Sequence, residues 1–160
     1  MKLIHVSILI ILLFFLAACD KEVNFKEHLA KIYSTAFGSM IDENNAANSN
    51  TNYIAVDMSH FSDLKEQDKQ EILKYFEDKY KIKVMDASYE KLLQMDLYNP
   101  DTMVLDGVLL RIEKVDFVAN DFLFEGSKYR AGTHAYGYKG IVHFKNGTWQ
   151  IKESKQTWES

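Results

Sequence analysis

Four histidines follow residue 20, and no two of them are spaced to share a metal. His28, His60, His134 and His143 stand far apart, with no pair on one helical turn, so neither a metal site nor a metal cofactor is expected. Carboxylates gather at the ends of the apolar segments, Asp57, Asp106, Glu113 and Asp116 among them. No two are set apart as acid and base, and isolated surface carboxylates are ordinarily just hydrated. No serine lies in a Gly-x-Ser-x-Gly turn, which leaves nucleophilic acyl transfer unsupported. Gly132, Gly137 and Gly140 imitate a phosphate loop, but the surrounding SKYRAGTHAYGYKG lacks Gly-Lys-Ser/Thr and alternates like a strand. What remains is a row of rings at alternate positions: His134, Tyr136 and Tyr138, upstream of Val142 and Phe144, with Tyr129 and Arg130 nearby. On an unbroken strand these rings share one face. Inside a curved sheet they would line an apolar pocket with a few directed polar groups, so His134, Tyr136, Tyr138 and Arg130 are the candidate ligand-binding residues. The plainer alternative is that they close the mouth of the core with their tips reaching water. A bulge at Gly137 or Gly140 would turn them outward.

The elements around that row read as helices first and strands last. Apolar residues repeat at three and four from Asn24 to Asp42, with Asn24 and Glu27 placed as a capping box. A second helix is predicted over 62–80 and a short third over 88–95, closed by the turn YNPD at 98–101. YIAVDM at 53–58 and KIKVM at 81–85 read as short strands. From Val104 the period becomes two, and its phase slips at Glu113–Lys114 as a β-bulge would make it do. Asn146-Gly147 between alternating runs predicts a two-residue hairpin. Its register places Lys145 opposite Thr148, Phe144 opposite Trp149 and Val142 opposite Ile151. Phe144, Trp149, Val142 and Ile151 then share the core face. The order predicts an α+β domain: N-terminal helices packed on a curved antiparallel sheet that ends in a hairpin.

The chain's single cysteine falls outside all of these elements. Lys2 precedes an apolar run of 14 residues, Leu3 to Leu16, broken only by His5 and Ser7. Roughly 20 apolar residues are needed to span a bilayer, so the run has the length of a secretory leader's apolar core. Leu16-Ala17-Ala18-Cys19 then resembles the lipobox of bacterial lipoproteins. That resemblance implies a diacylglycerol on the Cys19 thiol and cleavage before it, giving a leader of residues 1–18, a lipidated cysteine and short tether at 19–23, and a single domain at 24–160. Two acyl chains anchor stably where one is marginal. A lipidated Cys19 leaves no cysteine for a disulfide, so the fold must rest on packing. Asp20 resembles an inner-membrane retention signal of Gram-negative lipoproteins.

Composition narrows the partners further. The chain has 160 residues, and removing 18 leaves 142, enough for one domain. Losing Lys2 takes the formal charge from −4 to −5, and no basic block of the kind that grips nucleic acid is present. Helices preceding a meander that closes on YKGIVHFKNGTWQIKESKQTW resemble the cystatin-like cone of nuclear-transport-factor-2-like domains in exported lipoproteins. The expectation is a lipid-anchored protein on the extracytoplasmic face of a cell membrane, a non-catalytic module binding a small ligand or an exported protein. The alternatives are an accessory or immunity-type lipoprotein that contacts proteins through its helix or sheet surface, and, last, an enzyme using the cone cavity.

Overall fold

The computed structural model describes residues 23–42 and 51–160, so Cys19 and the leader lie outside the described residues. A 3₁₀ turn at Phe25–Glu27 leads into α1 (Leu29–Asp42), followed by β1 (Tyr53–Asp57), α2 (Glu66–Tyr80), β2 (Lys83–Asp86), α3 (Tyr89–Gln94), β3 (Tyr98–Asn99), β4 (Val104–Val118), β5 (Asp121–Ala131), β6 (His134–Lys145) and β7 (Thr148–Glu159). The class is α+β, with three helices packed on an open, mostly antiparallel sheet of seven strands. The sheet is mixed rather than purely antiparallel. Its order is β2-β1-β4-β5-β6-β7, with β3 beside the start of β4, and β1 runs parallel to both β2 and β4.

The helix expected from Asn24 is in two pieces. Asn24 does cap, accepting from Lys26 N at 3.3 Å and donating to Glu27 Oε1 at 2.6 Å. It caps a single 3₁₀ turn, and the chain re-enters helix only after His28, whose φ is −128°. From Leu29 onward α1 is buried nearly all round, the signature of a central helix. One side lies on β4–β7 and the other faces α2, where Gly38 meets the Tyr75 ring. α2 starts four residues later than its periodicity suggested. Phe61 and Leu64 turn into the core ahead of it, and Asp68 Oδ2 accepts from Lys65 N at 2.9 Å to close its first turn.

Both faces of the sheet are covered at the β1 end. Ile54, Val56, Val108 and Leu110 point to α1 and α2, whereas Tyr53, Ala55, Leu105 and Leu109 pack under α3 and Tyr98 as a second, smaller core. Every residue of YIAVD is therefore buried, as expected of a strand with parallel neighbours and two covered faces. α3 and β3 cover only that end. Among the described residues, no helix covers the outer face of the β4–β7 meander.

The register read from the hairpin holds. Lys145 pairs with Thr148, Phe144 with Trp149 and Val142 with Ile151, across a turn whose Asn146 and Gly147 have φ of 53° and 79°. Positive φ at both positions is what a type I′ turn requires. Of the four apolar hairpin residues, Ile151 is the one left exposed, because β7 is the sheet's edge and its register slips at the following residue. The bulge lies where the phase slip put it: Ile112 pairs with Gly126 and Lys114 with Glu125, leaving Glu113 over.

Candidate functional site

β6 pairs in sequence from His134 to Lys145 with no bulge of its own; the slips fall on β5 and β7. Tyr136 and Tyr138 therefore share the face of Val142, as alternation demands. They are 6% and 1% exposed and belong to the main core, and neither lines the grooves described below. His134 is exposed, its Nδ1 3.1 Å from Thr133 Oγ1, and Arg130 is the extra residue of a bulge on β5. The structure thus joins the two tyrosines in the core, with His134 exposed and Arg130 half-buried on the bulge. Gly137 and Gly140 mark close approach rather than a bend in β6. A Cβ would lie 2.0 Å from the Trp158 indole nitrogen at the first and 2.5 Å from Phe124 Cζ at the second.

Lys128 completes the tyrosine cluster, and sequence reasoning passed it over. Its Nζ lies 5.5 Å from the Tyr136 ring centre and 6.0 Å from that of Tyr138, with the residue 1% exposed. Ring faces attract a cation at this range. The signal was present in DFLFEGSKYR, where Phe122, Phe124, Gly126 and Lys128 alternate onto one face. On α1, against Phe61 and Phe122, the Tyr33 hydroxyl is buried with no hydrogen-bond partner among the described residues. Burial, and secondarily the charge of Asp63, holds its ionisation well above the ordinary tyrosine value. An unsatisfied buried hydroxyl is a liability of about 1 kcal/mol or more. Tyr33→Phe should accordingly raise the unfolding free energy by about 1 kcal/mol, measured by urea denaturation; a loss would show that the hydroxyl has a role.

The outer face of the meander carries an open groove of about 490 Å³. Leu123 and Ile141 lie side by side on its floor. Lys114 and Lys139 converge on Glu125, with N···O distances of 3.3 and 2.9 Å, and hold its carboxyl below the ordinary range. Glu153 and Lys155, on the edge strand, form the opposite rim. Toward the hairpin end, Asp121 bonds His143 Nδ1 and accepts from Lys152 Nζ at 2.8 Å, tying β5, β6 and β7 together. The Lys152 hydrogen bond, with help from His143, depresses the Asp121 pKa. Such pairing contributes fully above the ordinary aspartate value of about 3.9 and is lost as pH falls below it. Asp121→Asn should lower stability by about 1 kcal/mol near neutral pH. The difference from wild type should vanish in acid, which urea titrations at the two pH values would check.

At the C-terminal ends of the parallel strands, Asp57 and Asp86 are set next to each other. Asp57 is buried; it accepts from Ser59 N at 3.1 Å and Ser59 Oγ at 2.5 Å, and lies 3.5 Å from Arg111 Nε. Asp86 accepts from Met58 N at 3.2 Å and lies 3.7 Å from Lys69 Nζ. These contacts brace the loop between β1 and α2, and they occupy the carboxylates. Among the described residues no group of three His, Cys, Asp or Glu side chains is placed to hold a metal ion, and no helix is long and apolar enough to cross a membrane. No protein family, curated protein or solved structure matches the chain.

Proposed function

We propose that the protein is a lipid-anchored module on the outer side of a cytoplasmic membrane, and that it binds an exported protein through the outer groove of its β4–β7 sheet. The observation that carries this reading is the contrast between the two faces of the meander. The inner face packs Phe122, Tyr136 and Tyr138 into one core with Tyr33 of α1. The outer face is open over Leu123 and Ile141. A filled interior favours a protein partner over a metabolite held among the rings. An apolar strip rimmed by charges of both signs suits an extended segment of another chain. Lys114, Glu125 and Lys139 offset one another, whereas Glu153 and Lys155 stand exposed for the partner to pair with. The anchor is Cys19, supported by the charged start, apolar run, small residues and cysteine of the leader. We also read the meander as a cystatin-like cone. In its favour are the antiparallel order of β4 to β7, the bulge that bends β4, and α1 lying inside; the parallel pair β1–β2 would be an addition to it.

A photoreactive residue at position 141, in the membrane of the native cell, should crosslink to one discrete exported protein. The same residue at Leu93, exposed on α3 outside the groove, should not. Reversing the rim with Glu153→Lys and Lys155→Glu should weaken the crosslink. Crosslinks of equal yield at both positions, or none at 141, would contradict the proposed contact surface.

A further inference from the structure

A second groove opens at the end of the molecule where the described chain begins. It holds about 480 Å³ and is lined by Val23, Phe25, Leu29 and Phe117, with Lys26 and Asp63 also on its walls. The apolar lining is continuous with an aromatic cluster, in which Phe25 lies 4.6 Å from Phe117 and 5.4 Å from Trp149, centre to centre. Beside it, the tip of the β4–β5 hairpin presents Val118 at 52% exposure. Apolar side chains are thus gathered at one end of the long strands. Nothing among the described residues covers them.

The chain itself indicates what does. Val23 lines the groove and stands four residues after Cys19. Even fully extended, four residues reach about 14 Å, whereas β4, with its 15 residues, is about 50 Å long. An acylated Cys19 therefore holds this end of the body near the bilayer, and the strands can carry the other end beyond reach of the tether. An apolar face carrying phenylalanine and other large apolar side chains buries into the boundary between headgroups and acyl chains. We infer that the Phe25–Phe117–Val118 end is a membrane-contacting surface that rests on the lipid of the leaflet holding the anchor. The β4–β7 strands then stand away from the membrane and their outer groove faces the aqueous side. The inference rests on the lipidation of Cys19 proposed above.

Val118 and Met103 make a matched pair for testing it. Each is 52% exposed, and they stand at opposite ends of β4. With Cys19 acylated, Val118→Cys or Met103→Cys supplies the one free thiol for an environment-sensitive fluorophore. The full lipidated chain is placed in vesicles of phosphatidylethanolamine and phosphatidylglycerol. The label at 118 should shift to the blue and lose its quenching by aqueous iodide, while the label at 103 should do neither. Equal quenching at the two positions, in protein whose intact mass includes the diacylglycerol, overturns the inference and leaves the anchor standing. Shielding at both positions also overturns it, because the body would then lie flat. Shielding at 118 that disappears on dilution to single copies per vesicle assigns the surface to a second copy instead. A bare Cys19 in the mass spectrum removes both the anchor and the inference.

Discussion

Phe122→Ala is expected to cost about 3 to 5 kcal/mol of unfolding free energy, the range for emptying a fully packed aromatic site. Phe122 is fully buried, with ring centres at 5.2 Å to Tyr33, 5.0 Å to Phe117 and 6.3 Å to Phe124. It joins α1 to the end of β4 and to its own strand, so no neighbour can move into the space without breaking another contact. Set against a total stability of about 5 to 15 kcal/mol for a domain of this kind, such a loss removes a large share of the margin that keeps the chain folded. Urea denaturation with a phenylalanine-to-leucine control would check it. A cost below about 1 kcal/mol, the size of a tolerated apolar swap, would mean the interior is looser than the ring distances indicate.

Gly126→Ala should be a damaging single-methyl addition at the centre of the sheet. A Cβ there would stand 2.5 Å from the Arg111 carbonyl oxygen and 3.0 Å from Met40 Sδ. The sulfur sits on a flexible side chain and can move aside. The carbonyl belongs to β4 next to the bulge and cannot move without disturbing the ladder. Overpacking against backbone costs about 1 to 3 kcal/mol, offset in part by the roughly 0.4 to 1 kcal/mol gained from a stiffer unfolded chain. A net loss of about 1 kcal/mol follows, read as a lowered denaturation midpoint with unchanged slope. An unchanged midpoint would show that β4 can yield at the Arg111 carbonyl without disturbing its ladder.

The features legible in the sequence were those set by local alternation. Asn146-Gly147 fixed its own turn, the turn fixed the pairing of β6 with β7, and unbroken alternation carried Tyr136 and Tyr138 to the core face. The Glu113 bulge was visible as a slipped phase. Non-local features were not legible. YIAVD is apolar on both faces and carries no period, so nothing in it announces two parallel neighbours or the small core under α3. The Asn24 cap was read correctly, yet the helix it starts breaks at His28, where the chain turns to seat Phe25 against Phe117 and Trp149.

The candidate site shows the same division. The tyrosine row could be placed on a face, but whether that face lined a cavity or filled one depended on α1 from the other end of the chain. Lys128 was passed over because a lysine ordinarily reads as solvated, although its position in the strand put it beside the rings. The outer groove depends on the side-by-side placement of Leu123 and Ile141 on different strands, with no helix over them among the described residues. Neither is written in any short stretch of sequence.

The address of the protein is the claim on which both its proposed partner and its membrane-facing end depend. Intact mass spectrometry of the protein purified from its own membrane, with sequencing of its first peptide, tests that claim directly. The expected product is a chain whose first residue is Cys19, heavier than the polypeptide by an attached diacylglycerol. A chain still beginning at Met1, or a Cys19 carrying an unmodified thiol, would contradict it.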